Sequence, residues 1–150
     1  MHWLYAGELL LSLGKMIEVL KLKPEHWRTM RRHVAAQSPL EACGLLAGKQ
    51  NSVETVIRIR NADQSPVRFH MDAQDQYNAF MWIGANSLDL VGIFHSHPSG
   101  PEIVSPTDIA EAAYEVVHII WSRTKRVWSA RGFWIEDGSV TPVTLQVSDE

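Results

Sequence analysis

Cysteine, net charge and long apolar runs are all scarce in this chain. Only one of the 150 residues is a cysteine, Cys43, so no disulfide can form within the chain and no cysteine-based structural zinc site is available. The net charge of −3 argues against a nucleic-acid binder, because such proteins are usually basic. The most apolar early stretch, Leu9 to Leu13, is far too short to span a membrane. Because a cysteine-based zinc site is excluded, any metal must be held by histidines and carboxylates.

The composition is that of an ordinary globular protein, with 45% apolar and 21% charged residues. Residues 1–15 resemble a signal peptide only faintly, because they lack a basic start and carry Glu8 inside the apolar run. We therefore expect a cytoplasmic protein, with an N-terminal extension over residues 1–20 and one domain over residues 21–150. Met16 could be the true start, and the apolar residues of the extension could pack on a neighbouring chain in a homo-oligomer.

Helices and strands alternate irregularly along the chain, which predicts an α/β (α+β) domain with a mixed sheet. A helix should begin at Pro24 and end before Pro39, a second should run from Asp72 to about Ala85, and a third from Ser105 to about Tyr114. We expect the second helix to bury Tyr77, Phe80 and Met81. Strands are predicted over residues 43–49, 53–60, 67–71, 88–95, 116–122, 127–135 and 140–147, the last two forming a hairpin around Asp137–Gly138.

Two histidines one residue apart, His95 and His97, follow the apolar strand predicted over residues 88–95. Side chains alternate along a strand, so both imidazoles can lie on one face. Asp108, eleven residues beyond His97, could supply a third ligand after a turn. Two histidines and one carboxylate are the protein ligands that a catalytic zinc site uses. The alternative is that both histidines are merely polar residues where a strand meets solvent.

Ser105 and Asp108 also have an explanation that needs no metal. The segment Ser105-Pro106-Thr107-Asp108 is a good helix start, with serine as the N-cap and proline at the first position. The two interpretations are compatible, because a carboxylate in the first turn is held in place by the backbone. Glu41 is a lone acid at the edge of an apolar run, and by itself it is best read as a solvent-facing carboxylate.

Taken together, these residues match one pattern: a glutamate, then His-Ser-His-Pro, six residues, Ser, two residues and Asp. This resembles the JAMM motif of the MPN-domain metalloproteases, which include proteasomal and signalosome deubiquitinases and their bacterial relatives. The segment 41–48, EACGLLAG, is similar to the first motif of that family. The resemblance runs from about Lys21 to Val147 and implies a curved mixed sheet flanked by helices, similar to cytidine deaminases.

The resemblance also implies a role for each motif residue. His95, His97 and Asp108 would ligate one Zn²⁺ per chain, with water as the fourth ligand. Glu41 would take a proton from that water and hand it to the leaving amine. Ser105 would donate a hydrogen bond to the oxyanion. Because all five residues are present, a catalytic zinc peptidase is favoured over the alternative, a protein-interaction scaffold that retains the zinc site without turnover.

The compact prokaryotic members of the family supply the expected substrate. Only forty-two residues follow Asp108, which leaves little room for the insertions that grip ubiquitin chains in eukaryotic members. The resemblance implies cleavage of a peptide or isopeptide bond after the C-terminal Gly-Gly of a ubiquitin-like or sulfur-carrier protein of the β-grasp type. Residues 67–71 are a candidate for one wall of the groove that would hold this tail, by β-augmentation.

Overall fold

The computed structural model describes residues 16–149 of the chain. Within them, seven strands close into a barrel in the order β1-β3-β2-β4-β5-β6-β7. The strands are β1 (Val19–Leu22), β2 (Cys43–Lys49), β3 (Ser52–Ile59), β4 (Asp89–His97), β5 (Val117–Thr124), β6 (Val127–Glu136) and β7 (Ser139–Val147). The helices are α1 (Pro24–Gln37), α2 (Ala73–Ala85) and α3 (Pro106–Ala110).

The sheet is mixed, as the sequence predicts. β4 runs parallel to β5, and β1 runs parallel to both β3 and β7, whereas the remaining neighbours are antiparallel. The predicted α/β (α+β) class with a curved mixed sheet is confirmed. The hairpin around Asp137–Gly138 is also confirmed, since Glu136 pairs with Ser139 across that turn.

Both faces of the central strands are covered, which explains why their sequences read as continuous apolar runs. Successive residues of β2 enter different clusters: Leu46 packs with Phe94, Val34 and Trp121, while Leu45 packs with residues of the α2 side. Glycine is required at position 44 of β2, because an added Cβ would clash with the Phe94 ring of β4. Side chains continue to alternate between the two faces of the sheet up to the end of β4, so its last residues point to opposite faces in turn.

Two predictions of secondary structure are wrong. Residues 67–71 do not form a strand and contribute only an isolated bridge between Met71 and Asn61. The third helix ends at Ala110 rather than near Tyr114, because it buries no side chain and nothing extends it beyond its cap.

The inner face of α2 also differs from the prediction. Ala79, Phe80 and Ile83 are buried, while Tyr77 and Met81 are exposed by 43% and 57%. With 3.6 residues per turn, Tyr77 and Met81 fall outside the helix face that carries Ala79, Phe80 and Ile83 into the α2-side cluster.

The predicted boundary between residues 20 and 21 falls inside β1, which begins at Val19 and pairs with β7. Residues 1–15 of the predicted extension lie outside the described residues, so the division of the chain stays a prediction. None of the helices in residues 16–149 is long and apolar enough to cross a membrane.

Candidate active site

β4 delivers two histidines to one side of the sheet at its carboxyl end. His95 and His97 continue the face that carries Ile93, while Ser96 points to the opposite face. The Ser96 hydroxyl accepts a hydrogen bond from the backbone N–H of Ala42 at 2.8 Å. That bond fastens the segment before β2 to the end of β4, which brings Glu41 close to the two histidines.

The start of α3 brings a carboxylate to the same point. Ser105 is the N-cap: its hydroxyl accepts from the Asp108 N–H at 3.0 Å, and its own N–H donates to Asp108 Oδ2 at 2.9 Å. The predicted capping arrangement is therefore confirmed, and it fixes the Asp108 side chain. Asp108 Oδ1 lies 3.2 Å from His95 Nε2, and Asp108 Oδ2 lies 3.3 Å from His97 Nε2.

Glu41 is only 4% exposed, so the solvent-facing interpretation is wrong. One of its carboxylate oxygens and one ring nitrogen of each of His95 and His97 lie within 4.8 Å of one another. Its backbone is held on both sides, because its N–H donates to the Ser65 carbonyl at 2.8 Å and its carbonyl accepts from Asn61 Nδ2 at 3.0 Å. The structure thus gathers all five predicted site residues around one centre.

The spacing of the donor atoms suits a metal ion. A tetrahedral ion with ligands at about 2.0–2.1 Å separates those ligands by about 3.3 Å. The Nε2 atoms of His95 and His97 lie 3.1 Å apart, and their distances to the Asp108 oxygens are similar. His97 Nδ1 lies 2.8 Å from the Pro101 carbonyl, which can only accept, so a neutral His97 ring carries its proton on Nδ1 and offers the Nε2 lone pair to a metal. These residues could therefore hold a metal ion.

Burial and hydrogen bonding shift the pKa values of the four ionisable groups at this centre in different directions. Burial alone would raise the pKa of Asp108, but hydrogen bonds from His95 and His97 outweigh it and hold that pKa far below its usual range. Burial lowers the pKa of His95, which is 1% exposed. Burial also opposes the charge on His97, but its bonds to Asp108 and the Pro101 carbonyl raise its pKa. Burial raises the pKa of Glu41 to about 7.

A cavity of about 370 Å³ opens beside this centre. Residues 67–71 form one wall, Thr107, Asp108 and residues 111–114 form the other, and the floor includes Ile93, His95 and His118. Phe69 stacks on the His95 ring with 4.5 Å between centroids. The segment expected to be one wall of a substrate groove therefore lies against the site, although it has no regular strand structure.

Sequence reasoning missed three residues that build this site. Asn61 ties Glu41 to the loop that follows, Phe69 covers His95, and His118 lies in the floor of the cavity. None carried a signal for its individual role: Asn61 stands in a stretch that reads as a turn, Phe69 in the segment expected to form a groove wall, and His118 in an apolar run. Their roles follow from contacts between segments distant in sequence.

Comparison with known proteins identifies the family. The profile described as prokaryotic homologs of the JAB domain matches residues 23–134. The chain belongs to this family. The fold agrees, because the chain superposes on the JAB1/MPN domain protein AF2198 from Archaeoglobus fulgidus with a TM-score of 0.57 at 20% identity, covering 87% of this chain and all of that one. The predicted resemblance to the JAMM/MPN-type family is confirmed.

Other proteins are more similar to this chain in sequence. The protein DSY2949 from Desulfitobacterium hafniense superposes with a TM-score of 0.79 at 30% identity, over 88% of this chain and 94% of that one. A desampylase from Pyrococcus furiosus is 41% identical over 86 residues, which are 57% of this chain and 61% of that protein. A CysO-cysteine peptidase from Mycobacterium tuberculosis is 29% identical over 140 residues, 89% of this chain and 94% of that protein.

Proposed function

We propose that this JAB-family protein is a zinc-dependent peptidase or isopeptidase, which hydrolyses the bond after the C-terminal Gly-Gly of a ubiquitin-like or sulfur-carrier protein. One observation carries the proposal: the Nε2 atoms of His95 and His97 lie 3.1 Å apart, and each lies 3.2–3.3 Å from one carboxylate oxygen of Asp108. The buried Glu41 lies beside them. The relatives are named as a desampylase and a CysO-cysteine peptidase, which supports the same class of reaction.

His95, His97 and Asp108 would hold one zinc ion per chain. When bound, zinc polarises a carbonyl and lowers the pKa of a coordinated water to about 7. The donor set fits this ion, because imidazole and carboxylate are common zinc ligands and two of the three side chains are already oriented by another part of the chain. Pro101 orients His97, and the Ser105 backbone orients Asp108.

Glu41 would carry the proton during hydrolysis. One of its carboxylate oxygens lies within 4.8 Å of the histidine nitrogens, close enough to act on a water molecule held at this centre. A pKa of about 7 lets Glu41 accept a proton from attacking water and return it to the leaving amine near neutral pH. Glu41 is therefore assigned as general base and then general acid.

Ser105 would stabilise the oxyanion. Its hydroxyl oxygen accepts the Asp108 N–H, and a hydroxyl that accepts one hydrogen bond still has its own proton to donate. Ser105 also lines the cavity beside His95, where the substrate carbonyl would lie. A donor aimed at developing negative charge is worth about 10²–10³ in kcat.

The cavity favours a slender substrate tail. Phe69 narrows it from one side by stacking on His95, so a tail of two glycines, which has no side chains, suits the space better than bulky residues. The backbone of residues 67–71 could accept an added strand, since Met71 makes only an isolated bridge. The β-grasp protein that carries the tail would remain outside the cavity. The cytoplasmic location and a homo-oligomer stay predictions.

Glu41→Gln tests the function and separates it from a zinc-binding scaffold. The probe is a β-grasp protein whose C-terminal Gly-Gly is fused to a reporter, and the control is Glu54→Gln, an exposed glutamate of β3. We expect Glu41→Gln to keep zinc, measured by elemental analysis, while kcat falls about 10²–10⁴-fold. Full activity in Glu41→Gln would contradict the assignment of the base. A zinc-loaded wild-type protein that cleaves no such fusion would favour the scaffold.

A further inference from the structure

Two buried histidine nitrogens at the floor of the cavity have no hydrogen-bond partner within residues 16–149. They are Nδ1 of His95 and Nε2 of His118. His95 is 1% exposed and His118 is 5% exposed, so bulk water does not satisfy either ring. Buried polar atoms in folded proteins are almost always hydrogen-bonded, so each of these two nitrogens calls for a partner.

The two nitrogens have complementary roles. The other ring nitrogen of His118 bonds the backbone carbonyl of Tyr114, and a carbonyl only accepts, so that nitrogen carries the ring proton. Burial holds the pKa of His118 at about 4, so the ring is neutral and its Nε2 is an acceptor. His95 turns Nε2 toward Asp108 and His97, so a neutral His95 that binds a metal through Nε2 keeps its proton on Nδ1, which is a donor.

The fold places the donor and the acceptor on neighbouring strands. β4 and β5 are parallel, with Ile93 opposite His118 and His95 opposite Ile120. His118 therefore lies on the same face as His95, one step back along the adjacent strand. Both residues line the floor of the same cavity and interact electrostatically. They form no direct hydrogen bond with each other, and buried polar atoms without a protein partner are commonly satisfied by an ordered water.

We propose that His118 is a positioning residue for the metal centre, with its Nε2 accepting the Nδ1–H of His95 through one buried water molecule. This bond would fix the tautomer and the orientation of the His95 ring, in the way that the Pro101 carbonyl fixes His97. The inference rests on the proposed zinc site. It assigns a role to a histidine outside the predicted motif, contributed by a different strand.

The test compares zinc affinities of His118→Phe and His118→Gln, measured by chelator competition at neutral pH with zinc alone as the probe. Phenylalanine keeps a ring but removes the acceptor, whereas glutamine keeps an acceptor. We expect His118→Phe to bind zinc about 10–100-fold more weakly and His118→Gln to recover most of the loss. The matched control is His33→Phe, because His33 is a half-buried histidine that bonds the Cys43 carbonyl outside the site.

A second measurement does not depend on whether the variants fold. In zinc-loaded wild-type protein, ¹H–¹⁵N correlation spectra of the histidine rings should show His95 protonated at Nδ1, with that proton slow to exchange with solvent. A fast-exchanging Nδ1 proton would overturn the role of His118. So would a zinc affinity of His118→Gln as low as that of His118→Phe, or a wild-type zinc affinity in His118→Phe. Wild-type protein that takes up no zinc would instead refute the proposed metal site.

Discussion

The most informative single perturbation is at Asn61, because this buried side chain uses all four of its hydrogen bonds to join Glu41 to the loop that follows. Asn61 Nδ2 donates to the carbonyls of Glu41 and Arg68 at 3.0 and 3.1 Å. Asn61 Oδ1 accepts from the N–H groups of Asp63 and His70, each at 3.0 Å. One 7%-exposed side chain thus connects the glutamate segment to the loop that forms the cavity wall.

Asn61→Ala removes all four bonds at once. At about 0.5–1.5 kcal/mol each, their loss amounts to about 2–6 kcal/mol. Three of the four partners, Asp63, Arg68 and His70, lie in an exposed loop where water can replace the lost bonds. We therefore expect the free energy of unfolding to fall by an amount in the lower half of this range, about 3 kcal/mol. For a chain of this size that loss lowers the melting temperature by about 6–12 °C. The free energy of unfolding is measured by urea titration, with an unchanged m value confirming that compactness is unaffected.

Asn61→Asp distinguishes hydrogen bonding from packing. The two side chains have nearly the same shape, but a carboxylate keeps the acceptor bonds and turns negative charge toward the carbonyls of Glu41 and Arg68. We expect Asn61→Asp to be less stable than Asn61→Ala at pH 7 and to recover as the new carboxyl is protonated. Asn78→Ala, which removes an exposed bond on α2, is the control and should cost well under 1 kcal/mol.

The same variants report on catalysis, because Asn61 is a positioning residue for Glu41. Releasing the Glu41 backbone by about 1 Å should lower kcat about 10²-fold. The reasoning would be refuted if Asn61→Ala cost less than about 1 kcal/mol, or if Asn61→Asp were as stable as the wild type at pH 7.

Two further predictions concern Ser105 and Glu41. Ser105→Ala should lower kcat about 10²–10³-fold. Ser105→Thr keeps both the hydroxyl and the helix cap, so its kcat should be close to that of the wild type. An alanine variant with the wild-type kcat would show that Ser105 takes no part in catalysis. In the zinc-free protein, burial raises the pKa of Glu41 to about 7, so the folded state favours the neutral carboxyl. The contribution of Glu41 to the free energy of unfolding is therefore fully present below about pH 4.5 and is lost as the pH rises through about 7. Glu41→Gln should therefore be more stable than the wild type at pH 8 but not at pH 4, as measured by thermal unfolding. A difference in melting temperature that does not change with pH would contradict the burial of the carboxylate.

Local sequence was sufficient where chemistry and spacing act over a few residues. The alternation of β4 predicted that His95 and His97 share a face, and the Ser-Pro-Thr-Asp segment predicted the cap that holds Asp108. Local signals failed where packing decides. Residues 67–71 alternate like a strand but serve as a wall, because Asn61 bonds the backbone of Arg68 and His70 in place of a neighbouring strand. The short α3 ends early because it buries no side chain.

The sequence by itself determined which groups could do the chemistry: the histidine pair, the capped aspartate with its serine, and a glutamate that matches the family pattern. The tertiary structure decided that Glu41 is buried beside the histidines, that Phe69 narrows the cavity, and that His118 lies on the same face as His95. The physical reason is the range of the interactions. Caps and strand alternation depend on neighbours within a few residues, whereas these contacts form only when distant strands and loops pack together.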